Sequence, residues 1–173
     1  KERMMTKSVF ISAFILFCTA LVETAILSNI TILPAVPDLL LLCSVYLSLL
    51  NGRGTGEADG FISGLFMDFL TGAPFGFNCL FRTIIGYSAG WFGKSIQYRG
   101  IIMPAVIGFS VTLLKVFLIW LISLFFPLVV NTYNLFSVQF VFELLANTLC
   151  APFIFKLMDS FRRFVAVHPE EQV

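Results

Sequence analysis

Gly56-Glu57-Ala58-Asp59-Gly60-Phe61-Ile62-Ser63-Gly64-Leu65-Phe66-Met67-Asp68-Phe69-Leu70-Thr71-Gly72-Ala73-Pro74-Phe75-Gly76-Phe77-Asn78 is the stretch on which the reading of this chain turns. Gly56, Gly60 and Gly64 stand at spacing four, so on a helix they form one ridge that a neighbouring backbone can approach closely. Asp68 continues that spacing inside an apolar run. Thr71-Gly72-Ala73-Pro74 then breaks the run. Just upstream, Gly52-Arg53-Gly54-Thr55-Gly56 is a glycine-rich G-x-G-x-G loop that invites comparison with a phosphate-binding loop. It lacks the G-K-S/T that would hold phosphate and magnesium, and no strand precedes it. The glycines therefore read as packing surface.

The rest of the chain sets the solvent. Of its 173 residues 58% are hydrophobic and only 12% charged. A soluble domain carries roughly 25% charged residues, so so much apolar surface requires a bilayer. The net charge is +1, which argues against nucleic acid or an acidic surface as partner. Cys18, Cys43, Cys79 and Cys150 lie in or beside separate apolar segments without C-x-x-C spacing, and read as small packing residues. His168 is the single histidine, so neither a metal site nor histidine catalysis is expected, and no cofactor. The chain opens on Lys1, and Met4 or Met5 can serve as a natural start.

Outward from the central stretch, the apolar runs predict an all-α polytopic membrane protein. One domain over 1–164 would hold six transmembrane helices, at about 8–28, 37–50, 57–71, 78–96, 101–126 and 137–158, with a cytoplasmic tail at 165–173. The first run is expected to be a retained helix rather than a signal peptide, since no cleavage signal followed by a soluble chain is read. Pro37 suits the first turn of the second helix and Asp38 the positive end of its dipole. Asn51 to Asp59 reads as a polar loop, and Asn78 as the cap of the fourth helix. Pro152 is expected to kink the sixth. Nine of the eleven lysines and arginines fall at the N-terminus, at Arg53, at Lys94 and Arg99, and in the C-terminal region. Six crossings with both termini cytoplasmic place all nine on one side, as the positive-inside rule demands.

That topology gives the ionisable residues inside the segments a common depth. Glu23, Asp38, Asp68, Arg82 and Glu143 all fall in the outer half of the bilayer, with Lys115 deeper. Charges at such depth are costly and usually face the bundle and pair. Three readings follow: internal glue between helices, an outward-opening polar cavity for a ligand or partner, or a proton or cation relay. Asp68 and Arg82 are expected to be coupled.

Pro37-Asp38-Leu39-Leu40-Leu41, then Gly60-Phe61-x-x-Gly64-Leu65-x-x-Asp68, then Gly72-x-Pro74-x-Gly76-x-Asn78 resembles the bacterial rod-shape-determining protein MreD family. The likeness is specific from about Pro37 to Gly90; Phe75 departs from the family's commoner leucine. The resemblance implies a multi-pass scaffold of the bacterial inner membrane, surrounded by lipid, without catalytic residues. It implies a fold similar to the substrate-capture subunits of energy-coupling-factor transporters. It also implies a partner, MreC, and through it the shape-determining glycosyltransferase and transpeptidase pair and the MreB filament. The ridge of Gly60 and Gly64 is then a possible seat for the MreC helix. The competing function is capture of a vitamin or metal for a transporter. Such subunits commonly carry A-x-x-x-A on the first helix, and here Ala13 is followed by Phe17 and Ala20 by Thr24. An intramembrane enzyme would need a Ser/Lys pair, paired carboxylates or H-E-x-x-H, and none is readable.

Overall fold

A computed structural model describes residues 2–27, 34–93, 100–126 and 137–166. Among them the elements are helical throughout: α1 Glu2–Ala25, α2 Leu39–Asn51, α3 Arg53–Thr71, α4 Phe77–Phe92, α5 Ile102–Phe125, α6 Val138–Ser160 and the single turn α7 Arg162–Val165. The loop expected at 127–136, the Lys94 and Arg99 connection and the tail from 167 lie outside the described residues.

The centre is α2. Leu40 to Leu50 are all buried, and the helix is packed by α1, α3, α4 and α6. A helix that is apolar all round belongs inside a bundle or a bilayer. Its two serines do not spoil this, because Ser44 Oγ donates to Leu41 O at 2.9 Å and Ser48 Oγ to Ser44 O at 2.6 Å. Asp38 is the cap: its Oδ1 accepts from Leu41 N at 2.9 Å. Pro37 therefore stands just outside the helix rather than in its first turn.

The polar loop expected at 51–59 contracts to a hinge at Gly52, whose φ is +88°. From Arg53 onward the chain is helical. Glycine in a helix costs about 1 kcal/mol relative to alanine, so local preference argues against this. Contact with α4 overrides it. The glycine ridge of α3 lies against the backbone of α4, and the fit is reciprocal. A Cβ on Gly56 would stand 2.5 Å from Gly86 O, one on Gly64 2.5 Å from Cys79 Cα, and one on Gly90 2.6 Å from Gly52 O. Gly60 faces the Arg82 carbonyl, and Gly86 faces that of Gly56. The ridge proposed as a seat for a foreign helix is filled by the chain's own α4.

Polarity runs inside out. Glu23, Asp38, Asp68, Arg82, Lys115 and Glu143 are buried, whereas Phe10, Phe14, Phe69, Phe75, Phe125 and Phe153 are exposed. Contiguous apolar surface beyond a few hundred Å² marks a membrane or a partner. Ile102–Phe125 and Val138–Ser160 are each long and apolar enough to cross a bilayer, and Val9–Ala25 and Leu39–Asn51 are shorter apolar helices. Helix α6 continues through Pro152 to Ser160.

Candidate functional site

The candidate site is a sealed ionic cluster at the start of α2, and Asp38 is its hub. The cap position leaves the carboxylate where the α2 N-terminus, α4, α5 and α6 converge. Arg82 Nη2, from α4, donates to Oδ1 at 2.7 Å and Oδ2 at 2.9 Å. Lys115 Nζ, from α5, donates to Oδ2 at 2.7 Å. The same ammonium donates to Glu143 Oε1 of α6 at 2.6 Å. The backbone of Asp38 is held too: its N–H donates to Asn147 Oδ1, also on α6, at 2.8 Å. Asn147 Nδ2 donates to Thr112 Oγ1 of α5 at 3.1 Å. From α1, Glu23 Oε2 accepts from Leu40 N at 2.8 Å.

Five helices are joined this way. Glu23, Asp38, Arg82, Lys115 and Glu143 are between 1% and 8% exposed. At such burial each charge has lost most of its hydration, so the contacts must replace water. Oδ1 and Oδ2 of Asp38 together accept four hydrogen bonds. Among the described residues, Arg82 Nε and Nη1 have no acceptor. The guanidinium therefore meets the carboxylate end-on through one nitrogen rather than as a two-pronged fork. Lys115 lies near the middle of α5, and its long stem carries the ammonium to the level of Asp38.

Asp68 does not belong to this cluster, and the expected Asp68–Arg82 pair is not formed. Asp68 lies at the end of α3, beside the start of α4. The first turn of a helix presents N–H groups with no partner of their own. Asp68 supplies the acceptor: its carboxylate takes Gly76 N at 2.9 Å, Asn78 N at 3.0 Å, Asn78 Nδ2 at 2.9 Å and Cys79 N at 3.5 Å. Asn78 is accordingly inside α4 rather than its cap, which is Gly76. The turn between the helices uses Gly72 at φ +66° and Gly76 at φ +88°, with Pro74 O accepting from Phe77 N at 3.0 Å. So Gly72, Pro74, Gly76, Asn78 and Asp68 build one α3–α4 corner, while Gly56, Gly60 and Gly64 line the contact below it.

Asn147 and Thr112 are cluster residues that charge alone does not reveal. Their signal is spacing. Asn147 is four residues after Glu143, and Thr112 three before Lys115, so each shares a helix face with a charged member. Chemically the cluster pairs its carboxylates with cations and backbone N–H groups, and leaves two donor nitrogens of Arg82 without an acceptor among the described residues. Cys18, Cys43, Cys79 and Cys150 are free, and no group of three or more metal-binding side chains occurs among the described residues.

No curated protein matches the chain, and no solved structure does. A family model does match, over residues 4–161, and it is described as the rod shape-determining protein MreD. With nearly the whole chain covered, including the Asp38 cluster and the α3–α4 corner, the protein belongs to the MreD family.

Proposed function

We propose that this chain is a non-catalytic scaffold of the machinery that sets rod shape and regulates peptidoglycan synthesis, and that it binds MreC. It sits in the bacterial inner membrane as six spans with both termini cytoplasmic, in a helix arrangement like that of transporter capture subunits. Through MreC it acts on the glycosyltransferase and transpeptidase pair and on the MreB filament. The observation that carries this reading is the Asp38 hub. A scaffold must hold its outer faces in fixed relation, and the hub ties α1, α2, α4, α5 and α6 together at one level. Asp38 and Glu143 are engaged with Arg82 and Lys115, and Glu23 with the α2 backbone, which supports glue between helices.

The partner's helix has to meet a face other than the glycine ridge, which α4 occupies. The test is recovery of MreC with the tagged chain from native membrane. Wild-type chain should bring MreC down. Absence of MreC from the purified complex, with the chain itself intact and inserted, would overturn the proposal.

A further inference from the structure

Arg82 enters the Asp38 hub with donors to spare. Its Nη2 donates to both oxygens of Asp38. Nε and Nη1 meet no acceptor among the described residues, although Arg82 is only 1% exposed. A guanidinium holds its N–H groups in a fixed planar fork. Around its rim the N–H groups of Nη2 stand between that of Nε and those of Nη1. The unmet donors therefore flank the Asp38 carboxylate on both sides, and no one acceptor reaches both. Native interiors meet such demand with a protein group or with ordered water. Acceptors are left over in the same cluster. Glu23 is held through Oε2, by Leu40 N, and Glu143 through Oε1, by Lys115 Nζ. The other oxygen of each takes no donor among the described residues. Glu23 is also within electrostatic reach of Asp38, Arg82 and Lys115.

Charge decides what can join these atoms. The carboxyl groups of Glu23, Asp38 and Glu143 outnumber the cations Arg82 and Lys115. An added anion would deepen that imbalance, and an added cation would sit against the unmet N–H groups. The ligand has to be neutral. It has to accept from nitrogen, donate to carboxylate oxygen, and fit beside a guanidinium that is almost wholly enclosed. Water meets all of these demands, and a buried water typically makes about three hydrogen bonds. We infer that the hub binds ordered water on each side of the Arg82 guanidinium, accepting from Nε and from Nη1 and passing hydrogen bonds to the free carboxylate oxygens of Glu23 and Glu143. Water then joins α4 to α1 and α6, links that the direct hydrogen bonds of the cluster do not make.

Water-edited solid-state NMR of the full wild-type chain in liposomes tests this, with arginine labelled in nitrogen and aspartate and glutamate in carbon. Contact with the Asp38 carboxyl carbon picks out the Arg82 signals. Magnetisation from water should reach the Arg82 Nε–H as quickly as that of Arg53, which is exposed. Slow transfer to Arg82 would overturn the bound water. So would a direct contact of Nε or Nη1 with the carboxyl carbon of Glu23 or Glu143, which would put protein atoms where the water belongs. Glu23→Gln keeps an acceptor for water and should preserve the transfer, whereas Glu23→Leu should slow it. Unchanged transfer in a folded Glu23→Leu chain would overturn the bridge to α1, and the wild-type measurement stands without either variant. The water deepens the glue reading of the hub proposed above. Recovery of MreC plays no part in these readouts, so failure of the one is distinguishable from failure of the other.

Discussion

Asp68 and Arg82 show what counting along a sequence can and cannot reach. Helix lengths place both near one depth, and charge alone then pairs them. Pairing depends on which way each helix face points, and this is set by contacts between segments far apart in the chain. Arg82 faces α2 and meets Asp38; Asp68 faces the exposed N–H groups at the start of α4. The two groups should therefore be energetically independent. Asp68→Ala should lower stability by about 1–2 kcal/mol, as loss of a helix cap does. Combined with Arg82→Ala, its effect should add to within about 0.5 kcal/mol, as for separated sites. A double-mutant cycle on the purified protein measures this, and strong coupling would restore the direct pair. Lys115 with Glu143 was within reach of the sequence, as one of the few pairings two cations allow. The hub role of Asp38 was not, because nothing in the sequence says that the α2 cap faces three other helices.

Helix α3 carries the lesson at the next scale. Its first turns, Arg53-Gly54-Thr55-Gly56, have the composition of a loop, and the sequence alone reads them so. What makes them helical is the backbone of α4, against which Gly56, Gly60 and Gly64 lie. The ridge was legible from its spacing of four. Its occupant was not, since the matching glycines on α4, Gly86 and Gly90, gain meaning only once α3 and α4 are side by side. The same substitution should therefore have opposite signs within one helix. Gly60→Ala forces a methyl into the Arg82 carbonyl and should cost about 1–3 kcal/mol, the usual price of overpacking. Gly54 has nothing within 4 Å of the added carbon, so Gly54→Ala should be neutral or stabilise by up to about 1 kcal/mol. Thermal midpoints of the two variants in one detergent compare them. Equal destabilisation would show that α3 and α4 are not in this contact. Isoleucine at Gly60 and Gly64 should likewise unseat α4 and lower the yield of folded chain, rather than remove MreC alone.

At the scale of the molecule the described residues form a bundle with Glu23, Asp38, Asp68, Arg82, Lys115 and Glu143 inside and many of the phenylalanines outside, and the hydropathy of the sequence announced an apolar exterior. The described residues supply the reason that such a bundle holds together. In a bilayer, apolar burial no longer drives one helix against another, so close glycine contacts and polar pairs have to do it. Here both devices are used. The glycines join α3 to α4, and Asp38 joins α2 to α4, α5 and α6, with α1 tied on through Glu23 and Leu40. Removing the hub leaves Arg82 without its carboxylate and Lys115 with Glu143 alone from this network. Breaking a buried pair by deleting one partner costs about 3–5 kcal/mol. The most direct measurement is the cooperative thermal unfolding of wild-type and Asp38→Ala chains in the same detergent. A loss of that size, with the transition broadened or split as helices part, is the expected result. An Asp38→Ala chain that melts at the wild-type midpoint in a single transition would contradict the hub.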